Sequence, residues 1–380
     1  IGIFYIIPAV QLVLVYQNLV FYSGNEDVCY YNFKCSRPLG SLRSFNSFFS
    51  NIGYIMLGAL FIILVSGKKY FYVRAANKCI ALAKGYGVPQ RFGLYFTIGF
   101  AMILEGILSA TYHICPNRSN FQFDTSFMYI IAILIMVQLY IVRHPDLIAS
   151  AHLIFASFTI IVGLCVIGVL TDASRGAWIA FAVFHIAVVG ALTIQYYRFG
   201  TFKFGKHIKL HFRVIHSHNY DFYVTFCFNP SFHCHTDSIF VILLKRMIYY
   251  LAAAPEDFGS FILAILLVNL ALYLFYYIYK KISFQYSEKK TMPWLPMVLF
   301  AITIALWGLA LHFYFQAGSN WLYTPAKSRE YNRDCIVMDF YDTHDIWHML
   351  SAGGIFCFLL VLFTLDDDLL ELPRNKIHLF

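Results

Sequence analysis

The sequence predicts an all-α integral membrane protein of about ten transmembrane helices, and three observations point to that class. Hydrophobic residues fill 60% of the chain and charged residues only 13%, against roughly 45–50% and 25% in a soluble domain. The apolar residues gather in long runs, and about 20 residues at 1.5 Å rise cross a hydrocarbon core of roughly 30 Å. Lys and Arg concentrate between those runs on alternate loops, the pattern left when basic loops stay cytoplasmic.

In chain order the expected spans run from Phe4 to Phe21, Phe45 to Val65, Phe92 to His113, Phe121 to Val142, Leu153 to Leu170 and Ala177 to Tyr196. Phe258 to Tyr279, Trp294 to Phe315 and Ile346 to Leu365 follow. The stretch from Ile239 to Ala253 is short, and Lys245 with Arg246 interrupts it; each basic residue at a helix centre costs about 2.5–3.5 kcal/mol on an insertion scale.

Loop charge decides that segment. Lys68, Lys69, Arg74, Lys78, Lys84 and Arg91 place the loop after the second span in the cytoplasm, and Arg143, then Arg198, Lys203, Lys206, Lys209 and Arg213, fall on the same side. If Ile239 to Ala253 crosses, Lys280, Lys281, Lys289, Lys290 and the tail after Asp366 are cytoplasmic too, so it counts as the tenth span. Residues 1–380 then read as one polytopic domain, with 198–238 as a cytoplasmic loop. The apolar run starts at Ile1 without a charged leader, which reads as a fragment of a longer protein.

A formal charge of +8 follows from the same loop rule and is no sign of nucleic-acid binding. The outer loops mix signs, with Lys327, Arg329 and Arg333 beside Glu330, Asp334, Asp339 and Asp342. They offer no basic stripe for a phosphate backbone. His207, His211, His216, His218, His233 and His235 lack metal-site spacing and are assigned no site.

Of nine cysteines, Cys29, Cys35, Cys115 and Cys335 fall on the exoplasmic side, where disulfides persist. Two disulfides are expected, in any of three pairings. Asn117-Arg118-Ser119 is a glycosylation sequon on that face.

Ionisable residues inside a membrane are costly and default to function or to a specific partner. Glu105, Ser109 and His113 recur every four residues, which stacks them on one helical face toward the outer end. Asp124 opens the next span, and His344 with His348 opens the last, again four apart and again from outside. Topology therefore brings His113, Asp124, His344 and His348 to one depth. Imidazoles at i and i+4 chelate one ion, and a third His with a carboxylate completes a zinc-like tetrahedron. Asp124 either ligates Zn2+ or holds a water beside it. Ser109 is an oxyanion or water-positioning hydroxyl, or simply a helix-packing one.

The stretches FNSFFSNIGYIMLG, EGILSATYHICPNRSNFQFDTSFMYIIA with RHPD, SREYNRDCIVMDFYDTHDIWHMLSA and FTLDDDL resemble the SID (systemic RNA-interference-defective) transmembrane family, as does the opening IGIFYIIPAVQLV…CYYNFKCSRPLG. The resemblance covers nearly the whole chain and breaks between about Phe202 and Ala254. It implies an eleven-helix membrane domain behind a large β-rich exoplasmic domain, so that domain and the first helix are expected to lie outside this chain. It also implies double-stranded RNA as the main partner, bound chiefly by the missing domain, with membrane lipids, cholesterol association and a homodimer. Residence in the plasma or endolysosomal membrane follows. The family in turn is similar to alkaline ceramidases and adiponectin receptors, which share a Ser, an Asp and three His around zinc. Ser109, His113, Asp124, His344 and His348 match that pattern.

Two functions compete. One is a transporter or receptor for double-stranded RNA, with zinc bracing the outer helix ends. The other is a zinc-dependent lipid amidase or esterase, with Asp124 as general base and Ser109 assisting.

Overall fold

The computed structural model describes residues 2–78, 86–88, 90–143, 156, 159–160, 163–164, 167–168, 174–184, 187, 212–213, 223–224, 258–287, 293–316, 318–370, 372–373 and 377. These residues are mostly helical. The chain divides into two units, Ile1–Val166 with Gly259–Phe380, and Ile167–Phe258.

The larger unit holds α1 (Gly2–Ser23), α2 (Phe45–Ser50), α3 (Ile52–Lys78), α4 (Phe92–Tyr112) and α5 (Phe121–Arg143). It continues with α6 (Phe258–Ser287), α7 (Trp294–Tyr314), α8 (Pro325–Glu330) and α9 (Thr343–Thr364). In the second unit the described elements are the apolar helix Arg175–Phe184 and one antiparallel pair, Phe212–Arg213 with Tyr223–Val224.

Among the described residues six helices are long and apolar enough to cross a membrane: Phe45–Asn77, Phe92–Tyr112, Phe123–Val142, Ser260–Ser283, Trp294–Tyr314 and Thr343–Leu369. They match six of the expected spans, and α1 matches the first, its described apolar part being Ala9–Ser23. The span expected at Leu153 to Leu170 is described only at residues 156, 159–160, 163–164 and 167–168, and that at Ala177 to Tyr196 only at 177–184 and 187; the one at Ile239 to Ala253 lies outside the described residues.

Three boundaries differ from expectation, each for a physical reason. The helix expected to end at Val65 runs to Lys78, so Lys68, Lys69 and Arg74 stand on its extension and not in a loop. Long basic side chains let an apolar helix continue into water while their stems stay on nonpolar surface. The last span begins at Thr343 because Asp342 caps it, accepting from the backbone of His344 and Asp345 while Asp345 accepts from the backbone of Asp342. That reciprocal capping satisfies amides a helix start leaves bare. Lys281, counted among the cytoplasmic lysines, lies within α6 and is 2% exposed.

The core lies between α3, α4, α5 and α9, with Phe61, Tyr95 and Phe363 in mutual edge contact at centroid separations of 5.1–6.2 Å. Glycine sets the approach of α3 to α4. A Cβ on Gly106 would stand 2.8 Å from Ile55 Cγ1 and 3.0 Å from Tyr54 Cβ, so no larger residue fits without separating the helices.

The far end of α9 is held by lysines. Its last carbonyls have no partner within the helix; Lys68 donates to the Phe363 carbonyl and Lys281 to that of Leu365. The same lysines pair with the acidic run that follows, Lys68 with Asp367 at 2.6 Å and Lys281 with Asp366 at 3.1 Å and Asp368 at 2.6 Å. Tyr277 and Gln285 add donors to Asp366 and Asp368. Three carboxylates at a helix C-terminus oppose its dipole, and the two lysines offset them.

Candidate metal centre

The opposite end of the bundle carries both disulfides, Cys29–Cys115 and Cys35–Cys335, with Cα atoms 4.9 Å apart in each. The expectation of two bridges among these four cysteines is met, and the tertiary structure selects one of the three pairings. Cys29–Cys115 ties the segment after α1 to the short loop between α4 and α5. There the Tyr31 hydroxyl donates to the Ile114 carbonyl at 2.7 Å and the Tyr30 amide to that of Pro116 at 2.7 Å. Burial, and then the charge of Glu26, hold the Tyr31 hydroxyl well above its ordinary pKa, so it remains a donor. Asn117 of the sequon is 7% exposed. Its amide faces inward, onto the Cys115 carbonyl and sulfur, and so is turned away from an outer face.

That loop sets the spacing of the first two site residues. His113 follows α4, its backbone amide still donating to the Ser109 carbonyl at 3.1 Å, and its ring points toward α9. Asp124 lies in the first turn of α5, and the Ser109 hydroxyl donates to its Oδ1. From α9 come His344 and His348, one turn apart.

The four residues close on a single point. One ligand atom from each of His113, Asp124, His344 and His348 lies within 4.8 Å of all the others. The His348 Nε2 is 3.0 Å from the Nε2 of His113 and 3.0 Å from that of His344. His113 and His348 are buried, whereas His344 and Asp124 are partly exposed, so the cluster is open on one side.

Hydrogen bonding alone serves this arrangement poorly. The His348 Nε2 carries either one proton or one lone pair, yet it faces two nitrogens. It meets both only by sharing a single proton or a single lone pair between them, a three-centre bond weaker than two separate ones. A cation between three lone pairs and a carboxylate removes the conflict. At a Zn–N length of about 2.05 Å, tetrahedral ligands stand about 3.3 Å apart, near the 3.0 Å of the two Nε2 pairs and inside the 4.8 Å that bounds the whole set. The residues form a candidate binding group for a metal ion that takes nitrogen and oxygen ligands.

The buried groups around the cluster form a second layer. Tyr54, from α3, shares a 2.6 Å hydrogen bond with Ser351, which lies one turn beyond His348 and donates to the Trp347 carbonyl. Glu105 is 2% exposed, and its Oε2 has no hydrogen-bond partner among the described residues. Asn46, from α2, donates to Asp345 Oδ2 at 2.8 Å. Glu105 and Ser109 stand out in the sequence as polar groups within an apolar run, whereas Tyr54 and Asn46 sit in apolar and polar runs with nothing to mark them. Asp342 and Asp345 did carry a signal, since two acidic residues three apart before an apolar run are a capping pattern.

Helices of this length and composition, packed around a histidine and carboxylate cluster at their disulfide-bonded end, define a polytopic membrane protein with a candidate metal centre. The chain belongs to the SID-1 RNA channel family: residues 1–380 match the family described as dsRNA-gated channel SID-1. It is 43% identical over 387 residues to SID1 transmembrane family member 1 of Mus musculus and 42% identical to that of Homo sapiens, covering all of this chain and 46% of each relative. Cholesterol uptake protein 1 of Caenorhabditis elegans is 35% identical over 389 residues, covering all of this chain and 50% of that protein. The chain thus spans about half the length of the curated relatives it matches.

Proposed function

We propose that this chain is the membrane domain of a protein that takes up or transports double-stranded RNA, and that it holds one zinc ion between His113, Asp124, His344 and His348. Family membership supports the transport reading. The zinc reading rests on one observation, the approach of four ligand atoms within 4.8 Å from three helices. Such costly groups inside a membrane call for a partner.

In this reading the ion ties α4, α5 and α9 together at one end of the bundle. His113 and His348 supply buried lone pairs, His344 and Asp124 close the partly exposed side, and Ser109 fixes the orientation of Asp124. RNA is engaged chiefly by parts of the protein beyond this chain, in a homodimer at the plasma or endolysosomal membrane, with lipid and cholesterol as further ligands. The test is metal analysis of purified protein together with RNA uptake by cells expressing ligand variants. Stoichiometric zinc in a variant lacking both His344 and His348 would sink the proposal.

The hydrogen bond from Ser109 to Asp124 and the open side of the cluster favour a second reading, a zinc-dependent lipid amidase or esterase of the ceramidase kind. Bound zinc would supply Lewis acidity to a carbonyl oxygen. Asp124 would accept a proton on the oxygen that Ser109 leaves free, and the buried rings of His113 and His348 would keep bulk water from that face. Release of fatty acid from a ceramide or ester by purified protein, abolished by Asp124→Asn while zinc is kept, is the outcome that selects it.

A further inference from the structure

The two histidines of α9 depend on where that helix begins. Its first turn is built on Asp342 and Asp345, and both carboxylates are gripped by asparagines from the opposite end of the sequence. Asn46 is fully buried. Its Nδ2 donates to Asp345 Oδ2 at 2.8 Å and to the Cys35 carbonyl at 2.9 Å, and its Oδ1 accepts the Arg37 amide at 3.1 Å. Asn32 donates to Asp342 Oδ2 at 2.8 Å and to the Arg333 carbonyl at 2.9 Å, and accepts the Arg333 amide at 3.0 Å. The disulfide Cys35–Cys335 joins the same two segments covalently.

These bonds converge on the metal helix. Asp342 Oδ1 accepts the backbone amides of His344 and Asp345 at 2.8 and 2.9 Å, and Asp345 Oδ2 accepts that of Asp342 at 3.1 Å. Asp345 follows His344 directly and precedes His348 by three residues, so the height and rotation of this turn fix both rings. A buried amide with both of its polar atoms paired has little freedom, because each lost bond leaves a desolvated group behind. Asparagine also suits the place chemically: its amide donates to a carboxylate and to a carbonyl at once while its oxygen accepts, which neither aspartate nor an apolar residue can do.

We infer that Asn46 is a positioning residue for the metal centre, acting through Asp345 to set the metal affinity of His344 and His348, with Asn32 acting likewise through Asp342. The inference rests on the zinc reading above. It adds that the affinity is tuned by a pair of amide-to-carboxylate bonds spanning 299 and 310 residues of sequence.

The test uses the purified full chain, with zinc affinity read by competition against a chromogenic chelator and ligand geometry read from the visible bands of the cobalt-substituted protein. Asn46→Ala weakens zinc by roughly 10–100-fold, the range for lost support behind metal ligands, and shifts the cobalt bands, while Cys35–Cys335 still forms. Asn46→Asp sets two carboxylates against each other and is worse. Adding Asp345→Asn to it restores one amide and one carboxylate with their roles exchanged and recovers part of the affinity, the bonds to the Cys35 carbonyl and from the Asp342 amide staying lost. That recovery distinguishes positioning from a general loss of stability, and it decides the matter even where a single variant does not fold. Wild-type zinc affinity and cobalt bands in Asn46→Ala, or an exchanged pair no better than Asn46→Asp alone, would overturn the inference. A wild-type chain that holds no metal ends the zinc reading and the inference with it; zinc in the wild type with unaffected variants ends the inference alone.

Discussion

The Nε2 atoms of His113 and His348 stand 3.0 Å apart although 235 residues separate them in sequence. No ordinary pairing of two imidazoles needs a third beside them, yet His344 lies as close to His348 as His113 does. If that geometry holds an ion, removing one ring removes the ion. His348→Ala is expected to reduce bound zinc to below about a tenth of an ion per chain and to lower the unfolding temperature, because metal-binding free energy is lost with the ligand. Mass spectrometric metal analysis and thermal unfolding in detergent check both, and chelation of the wild type should reproduce the same shift.

Asp124 separates the two readings of the centre. As a ligand in a bracing site, its conversion in Asp124→Asn lowers zinc occupancy and unfolding temperature together. Ser109→Ala, which removes a donor to Asp124 and no ligand, keeps the ion and costs about 1–2 kcal/mol, the range for one buried hydrogen bond. An Asp124→Asn protein that retains full zinc would turn the argument toward hydrolysis.

The four cysteines at the metal end should resist alkylation until reduced, and peptide mapping should return Cys29 with Cys115 and Cys35 with Cys335. The second bridge closes a separation of 300 residues, so Cys335→Ser should destabilise the chain by about 2–5 kcal/mol. It should also weaken zinc, since the bridge holds the segment that grips α9.

At the other end, Lys281 is 2% exposed and faces two carboxylates. Lys281→Met leaves Asp366 and Asp368 without their cation and is expected to cost about 3–5 kcal/mol, the range for a broken buried pair. Adding Asp366→Asn and Asp368→Asn should return much of that loss. Thermal unfolding of the three proteins closes the comparison, and an unaltered Lys281→Met would show that the pair contributes nothing.

The same contacts predict topology. Lys68, Lys281 and Asp366–Asp368 meet at one end of the bundle, and both disulfides lie at the other. Tags near Ser283 and near Arg74 should therefore label only from the cytoplasmic side, and one near Lys34 only from the outer side. The expectation at Ser283 depends on Ile239 to Ala253 being a span, as loop charge suggests. Labelling of Ser283 from outside would remove that span.

Sequence alone determined the solvent, the six long apolar helices among the described residues and the depth of the polar residues on them. A run of about 20 apolar residues has one low-energy conformation in lipid, where every backbone group must bond within its own helix. The alternation of basic loops then assigns each end to a side. Glu105, Ser109, His113, Asp124, His344 and His348 were legible for that reason: any ionisable group in such a run stands out, and its distance from the nearest loop gives its depth. Depth is one coordinate, however, and a site needs three. Which cysteine pairs with which, that Lys281 turns inward to cap α9, and that Asn46 and Asn32 reach its first turn are set by how the helices pack around one another. That packing rests on shape, such as the room Gly106 leaves for Tyr54, and on hydrogen bonds between residues some 300 positions apart. Neither leaves a period or a composition in the sequence, because a buried asparagine holding a carboxylate and an exposed one holding water are written with the same letter.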